Sequence, residues 1–253
     1  MHFRNIIVIG ASAGGVETLT QLVQALPSDL SASLFVTLHF PSDSISVLPK
    51  ILNRCGTLPV SHAEDGEAIQ LNRIYVAPPN YHLIVRPQVI HLSRSPRENG
   101  HRPAIDALFR SAARAYGSQV IGVILSGMLD DGTAGLANIK ANGGLAFVQD
   151  PAEALFEGMP RSAIASVEVD GVLSVTAIAA QLAELSQTTI TKKIMSDSTN
   201  SAEEEARIVS ESKSRLEQGQ QPETSPSMLT CPDCGGVMWE IANDNLVRYR
   251  CHV

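Results

Sequence analysis

Residues 5–15, NIIVIGASAGG, point to the architecture of this 253-residue chain. Their first half is a short apolar run, as is typical of a strand buried between two layers of helices. Their second half, Gly10-Ala11-Ser12-Ala13-Gly14, has the G-x-S-x-G pattern of a sharp turn that presents a serine hydroxyl above the end of a strand. A helical pattern follows over Gly15–Leu26. The stretch therefore predicts a strand–turn–helix unit with Ser12 at its turn.

Buried strands continue to alternate with helices up to about residue 187. This pattern predicts an α/β fold, namely a three-layer α/β/α sandwich around a doubly wound, mostly parallel sheet. The predicted strands are Asn5–Gly10, Ser33–His39, Arg73–Ala77, His82–Val85, Val89–Leu92, Val120–Leu125 and Ala146–Gln149. The predicted helices are Gly15–Leu26, Ile45–Asn53, Ala104–Tyr116, Gly132–Ala141 and Thr176–Leu185. Residues 73–92 are expected to form a hairpin insertion.

Composition excludes several classes of function. With 19 Lys and Arg against 26 Asp and Glu, the net charge is −7, so the basic surface that nucleic-acid binding requires is missing. No apolar run approaches the ~18–20 residues of a membrane span, and the N-terminus lacks the layout of a signal peptide. We therefore expect a cytoplasmic protein with no nucleic-acid partner and no membrane insertion.

Three segments differ in composition. Residues 1–187 form the predicted α/β domain, and residues 188–228 are a polar linker with too few apolar side chains to offset the entropy of ordering. Residues 229–253 form a small Cys-rich tail in which Cys231, Cys234 and Cys251 have the spacing of a zinc ribbon that is cut short. A structural zinc ion is therefore a candidate ligand, and a partly folded tail with free thiols is the alternative.

A serine nucleophile needs a base and an acid that orients the base, and such residues lie at the carboxyl ends of parallel strands. His39 ends the strand LFVTL and is the best candidate base, although a strand-end histidine can equally be structural. Asp130 and Asp131 follow a third strand, and one of them could cap the next helix instead. A phosphate cradle is less compatible with the glycine-rich turn, because Ser12 replaces the second glycine of G-x-G-x-x-G. The patterns assign His62, His82, His91 and His101 to surface hairpins and loops.

Six blocks of the chain, taken in order, carry a resemblance to a known family. They are VIGASAGGVETL, TLHFP, RIYVAPPNYHLIV, RPAIDALFRSAA, GVILSGMLDDGTAGL and FVQDPAEALFEGMPRSAIA. Together they resemble the catalytic domain of the bacterial chemotaxis protein-glutamate methylesterases over residues 3–187. The resemblance implies a catalytic triad of Ser12, His39 and Asp131. It also implies that backbone N–H groups near Ala13 and Met128 bind the oxyanion, and that catalysis needs no cofactor.

The resemblance also implies a function. Members of the family hydrolyse glutamate γ-methyl esters on methylated chemoreceptor helices and release methanol, and many also deamidate receptor glutamines. A methyltransferase or a separate regulator is a further expected partner, because the usual receiver domain is not expected before the first strand. Ala13 departs from the threonine that is frequent after the nucleophile. Two alternatives stay open: a non-catalytic signalling or docking module, and a serine hydrolase of another ester or amide.

Overall fold

The computed structural model describes residues 2–40, 46–190, 225–230, 236–243 and 246–251. Its strands are β1 His2–Phe3, β2 Ile6–Ala11, β3 Ser33–Leu38, β4 Val60–His62, β5 Arg73–Val76, β6 His82–Arg86, β7 Val89–Ser93, β8 Val120–Ile124, β9 Leu145–Gln149, β10 Gly171–Leu173, β11 Thr189–Ile190, β12 Ser225–Thr230, β13 Val237–Asn243 and β14 Leu246–Cys251. Its helices are α1 Gly15–Ala25, α2 Leu48–Cys55, α3 Ile105–Tyr116, α4 Thr133–Ala141, α5 Gly158–Ser166 and α6 Val175–Ser186. Within this part of the chain, no helix is both long and apolar enough to span a bilayer.

Seven strands form one parallel sheet in the order β10-β9-β8-β2-β3-β5-β4. The chain starts this sheet at β2, proceeds outward through β3 on one side, and later returns to place β8 on the other side. The carboxyl ends of β2 and β8 therefore flank a topological switch point, where open α/β sheets hold their ligands. The predicted doubly wound, parallel α/β fold is confirmed.

Two apolar cores lie on opposite faces of the sheet. Ile7 and Ile9 of β2 belong to the core under α1, α2 and α6, whereas Ile6 and Val8 belong to the core under α3, α4 and α5. Successive residues of a strand point to opposite faces, so a strand between two helix layers is apolar at most positions along its length. The uninterrupted apolar runs of the sequence have this physical cause.

Residues 73–92 do not form the single hairpin insertion that the sequence predicted. β5 lies inside the main sheet between β3 and β4, and only β6 and β7 make a separate antiparallel hairpin. Ile74 and Tyr75 are fully buried and contribute to different cores. β5 is therefore an interior strand, and its burial on both faces outweighs its closeness in sequence to the hairpin.

A strand lies near each end of the predicted linker, residues 188–228. Its first residues include β11, which pairs antiparallel with β1, and its last residues include β12, which pairs antiparallel with β13. β12, β13 and β14 form a three-stranded sheet. Strand pairing satisfies backbone N–H and C=O groups whatever the side chains are, so composition does not indicate these two strands. Residues 191–224 lie outside the described part of the chain.

Candidate active site

Ser12 follows β2 directly and occupies a turn that the backbone fixes on both sides. Its N–H donates to the carbonyl of Ser126 over 2.9 Å, and its carbonyl accepts a hydrogen bond of 2.9 Å from the N–H of Gly15. Gly14 has a left-handed conformation, with φ of 71°, and a Cβ there would lie 2.9 Å from Cβ of Leu155. Only glycine fits this position without strain, and α1 begins at the next residue.

Ser126, at the end of β8, joins the two strand ends of the switch point. Its N–H donates to Oε1 of Gln149 over 2.8 Å, and its carbonyl holds the N–H of Ser12. Its hydroxyl donates to the carbonyl of Ala13 over 2.8 Å and accepts from the N–H of Phe156 over 3.0 Å. Local sequence patterns do not mark this serine, because its role depends on the neighbouring strand.

His39 follows β3 and lies between the two other predicted site residues. Its Nδ1 is 3.1 Å from Oγ of Ser12, and its Nε2 is 2.7 Å from Oδ2 of Asp131. An ionised carboxylate only accepts hydrogen bonds, so the neutral ring carries its proton on Nε2 and accepts the serine proton at Nδ1. The side chains of His39 and Asp131 are only 6% and 3% exposed. The structure therefore brings all three predicted residues into one hydrogen-bonded relay.

Asp131 accepts four hydrogen bonds. Its Oδ1 receives them from Nδ2 of Asn99 at 2.8 Å and the N–H of Asp106 at 3.1 Å, and its Oδ2 from His39 and the N–H of Ile105 at 2.8 Å. Burial by itself would raise the pKa of Asp131, but the hydrogen bond and charge of His39, with the Ile105 and Asn99 donors, hold that pKa below its ordinary value. The carboxylate is therefore kept ionised.

The structure resolves the choice between the two adjacent acids. Asp130 is exposed, whereas Asp131 points inward to His39. Neither side chain caps α4, whose N-cap is Gly132 with φ of 96° and no side-chain hydrogen bond. The interpretation of either acid as a helix cap is therefore wrong.

The two predicted oxyanion donors have open backbone N–H groups. Neither the N–H of Ala13 nor that of Met128 has a hydrogen-bond partner among the described residues. The preceding Gly127 is fixed by a 3.0 Å bond from its N–H to the carbonyl of Phe156. A Cβ at Gly127 would lie 2.9 Å from Cβ of Ser12, so this backbone approaches the serine closely.

Two further residues contact the relay, and neither was predicted from the sequence. The ring of His101, which was assigned to a surface loop, stacks on the ring of His39 at 3.6 Å between centroids and 8° between planes. The side-chain amide of Asn99 donates a hydrogen bond to Asp131. Asn99-Gly100 is a typical sequence of a two-residue reverse turn, which was the available signal. Nothing in the sequence indicated that this turn contacts the relay, because the contacting residues are distant in sequence.

Other polar residues near the site connect elements rather than meet the relay. His82, also assigned to a surface hairpin, is fully buried: its Nδ1 accepts from the N–H of Ala104 over 3.2 Å and its Nε2 donates to the carbonyl of Pro96 over 3.0 Å. Arg102 donates to Oδ1 of Asn80 through two nitrogens, at 2.9 and 2.7 Å. These bonds hold the segment before α3 against β6 and its preceding turn.

The stretch Gly158–Arg161 is the first turn of α5. Met159 is fully buried and donates its N–H to the carbonyl of Gly127 over 2.9 Å. Arg161 is exposed and pairs with Glu157. This turn therefore supports the backbone behind the serine.

A doubly wound α/β protein that carries a hydrogen-bonded serine, histidine and aspartate at its strand ends has the arrangement of the serine hydrolases. Within that class, the chain belongs to the CheB methylesterase family, whose model matches residues 7–182.

Individual relatives agree with this assignment. A putative protein-glutamate methylesterase/protein-glutamine glutaminase of Leptospira interrogans is 40% identical over 188 residues, which are 74% of this chain and 97% of that protein. A protein-glutamate methylesterase/protein-glutamine glutaminase of Geobacter metallireducens is 41% identical over 171 residues, but the match spans only 47% of that protein. The CheB methylesterase catalytic domain of Thermotoga maritima superimposes with a TM-score of 0.69 at 36% identity, covering 72% of this chain and 98% of that domain.

The zinc prediction concerns residues that the structure hardly describes. Cys231 and Cys234 lie outside the described ranges, and Cys251 ends β14. Among the residues that are described, no group of three or more histidine, cysteine, aspartate or glutamate side chains could hold a metal ion. Zinc binding by the tail stays a prediction.

Proposed function

We propose that this chain is a protein-glutamate methylesterase that hydrolyses γ-methyl esters through a covalent intermediate on Ser12. The unbroken hydrogen-bonded relay from Ser12 through His39 to Asp131 is the observation that carries the proposal. Family membership supplies the class of substrate, since similar proteins are named for glutamate methyl esters and glutamine amides. A chain that served only as a docking module would not need this relay.

Acylation begins when Oγ of Ser12 attacks the ester carbonyl carbon. Nδ1 of His39 takes the serine proton, and the positive ring is stabilised by the carboxylate of Asp131 at its Nε2. The tetrahedral intermediate then collapses, the bond to the methoxy group breaks, and His39 returns the proton so that methanol leaves. The products of this step are methanol and a glutamyl ester of Ser12.

Deacylation repeats the same proton transfers with water. Nδ1 of His39 accepts a proton from the attacking water, and the ring then protonates Oγ of Ser12 as the acyl bond breaks. The result is a free glutamate γ-carboxylate and the regenerated serine. Water enters and a carboxylic acid leaves, so the net reaction is ester plus water to acid plus methanol, without oxidation or reduction.

Negative charge develops on the carbonyl oxygen in both steps. The open N–H groups of Ala13 and Met128 flank Ser12 and are the proposed donors to this oxygen. The amino end of α1, which starts at Gly15, adds the positive end of a helix dipole beside the same turn. Removing one such donor typically costs on the order of 10²–10³-fold in turnover.

The proposed protein substrate is a methylated chemoreceptor helix, as the family resemblance implies. Deamidation of a glutamine follows the same path, with ammonia in place of methanol, because the protonated His39 can supply the leaving nitrogen with its proton. The same proposal includes a cytoplasmic location, with a methyltransferase that acts on the same glutamates or a separate regulator as a further partner.

The test is methanol release from a receptor fragment that carries isotope-labelled methyl esters. The wild-type chain is expected to release methanol, and Ser12→Ala is expected to lose at least about 10⁴-fold in rate. Ser28→Ala, on an exposed turn, is the matched control and is expected to keep the wild-type rate. Equal release by wild type and Ser12→Ala would contradict the mechanism. Covalent labelling of Ser12 by a fluorophosphonate without methanol release would instead favour another ester or amide substrate.

A further inference from the structure

The turn around Asn99 is rigidly built. Asn99 and Gly100 both have left-handed backbones, with φ of 52° and 76°, and the flanking residues Glu98 and His101 exchange two backbone hydrogen bonds of 3.1 and 2.8 Å. The side chain of Glu98 is 6% exposed and forms an ion pair with Arg110 of α3. A tight turn that is anchored by a buried ion pair presents the Asn99 side chain in a fixed direction.

The Asn99 side chain points between two buried carboxylates. Nδ2 of Asn99 donates to Oδ1 of Asp131 over 2.8 Å and to Oδ2 of Asp106 over 3.0 Å. The residues are 3% and 1% exposed, so water offers these oxygens little alternative. An amide nitrogen has two hydrogens and can serve both oxygens at once, whereas an oxygen in that place would repel both.

The contact fixes the rotation of the catalytic carboxylate. Oδ1 of Asp131 is held by Asn99 and by the N–H of Asp106, and the remaining oxygen, Oδ2, then lies 2.7 Å from His39. The amide also helps to keep the pKa of Asp131 below its ordinary value, against the desolvation that would raise it.

We infer that Asn99 is a positioning residue of the hydrolase: it orients and stabilises the Asp131 carboxylate and through it the base His39. The inference rests on the proposed hydrolysis at Ser12. A purely structural role would be to supply a residue that tolerates the left-handed turn, and the two roles can be separated. Glycine tolerates that backbone conformation at least as well, but lacks the amide.

The test therefore compares Asn99→Gly and Asn99→Asp with the wild-type full-length chain. Asn72→Gly is the matched control, because Asn72 is also left-handed, with φ of 58°, but is exposed and has no side-chain contact to the relay among the described residues. Two readouts are taken: kcat and KM for methanol release, and the rate at which a fluorophosphonate labels Ser12 with loss of fluoride. Circular dichroism confirms that each variant is folded.

For Asn99→Gly we expect kcat and the labelling rate to fall about 10- to 100-fold, as for loss of a hydrogen bond to a charged group, with KM within about threefold. For Asn99→Asp, kcat and the labelling rate are expected to fall at least as far, because the substitution places a third carboxylate against two others. The control is expected to stay within about twofold of wild type in both readouts.

Asn99→Gly with wild-type kcat and labelling rate would overturn the inference. A wild-type chain that labels but releases no methanol would contradict only the proposed substrate, and the labelling rates of the variants would still decide the role of Asn99. A wild-type chain inert in both assays would overturn both proposals, since no active relay would exist for Asn99 to position.

Discussion

Replacing Asp131 by asparagine is the most informative perturbation of the relay. Asparagine has nearly the same shape, but it offers one acceptor oxygen and one donor NH2 group where the aspartate offers two acceptors. Each carboxylate oxygen of Asp131 currently accepts two hydrogen bonds, so either orientation of the new amide turns its NH2 toward two donors. The two orientations do not cost the same.

With the NH2 group toward Asn99, two donors lose their acceptor: Asn99 cannot rotate its amide without turning its oxygen toward Asp106, and the N–H of Asp106 is fixed. With the NH2 group toward His39, the ring can move its proton to Nδ1 and accept at Nε2. Only the N–H of Ile105 then loses its acceptor. The second orientation is therefore favoured, and it leaves His39 unable to take a proton from Ser12 at Nδ1.

The expected loss in kcat for Asp131→Asn is about 10⁴-fold, or about 5 kcal/mol of transition-state stabilisation, because the ring is held in the wrong tautomer. Asp130→Asn, a change in the exposed neighbouring acid, is expected to keep the wild-type kcat. Methanol released at fixed reaction times gives kcat for both variants. A kcat for Asp131→Asn within tenfold of wild type would refute the argument from donors and acceptors.

The same substitution is expected to lower the free energy of unfolding by about 2–4 kcal/mol at neutral pH. One buried N–H loses its acceptor, and the remaining hydrogen bonds to residue 131 no longer involve a charged group. The pKa of Asp131 is depressed in the folded state, so its contribution is present above the unfolded pKa of about 3.9 and is lost as pH falls through the folded pKa. In urea unfolding, the gap between wild type and variant should narrow as the pH falls below about 4. A gap that widens as the pH falls below about 4 would contradict the depressed pKa of Asp131.

Two further predictions concern the turn that packs on the relay. His101→Ala removes the ring stacked on His39 and is expected to lower kcat about 2- to 10-fold at unchanged KM. His101→Phe keeps a flat ring and is expected to keep most of the activity. Equal losses of kcat in the two variants would refute a role for the stacked ring. Glu98→Ala removes the carboxylate that pairs with the buried guanidinium of Arg110 and is expected to cost about 3–5 kcal/mol in urea unfolding. Glu157→Ala, which breaks a fully exposed ion pair, should show no measurable change, and a similar effect in both would count against burial as the cause.

The sequence predicted those parts of the molecule that local patterns determine. Apolar runs located the buried strands, and the G-x-S-x-G turn placed Ser12 at the end of the first long strand. His39 was found by the same reasoning, because parallel strands end at one edge of a sheet. The distinction between Asp130 and Asp131 came only from the family resemblance, since the direction of each side chain depends on a backbone that spacing does not describe.

Contacts between distant segments were beyond prediction. Asn99 and His101 meet residues that are tens of positions away, and nothing in their own surroundings indicates that meeting. The wrong hairpin insertion has a related cause: β5 pairs with β3 and β4, which both precede it in the chain, rather than with β6, the strand that follows it. Loop lengths and apolar runs do not specify which strand lies beside which.

The four hydrogen bonds at Asp131 have an evolutionary consequence. They connect the turn at Asn99, the first residues of α3 and the histidine after β3 to one carboxylate, so this anion holds the architecture together as well as orienting the base. A descendant that abandoned hydrolysis for a docking role would be free to change Ser12 but would still require an anion at position 131. In a lineage drifting away from catalysis, the nucleophile should therefore disappear before the acid does.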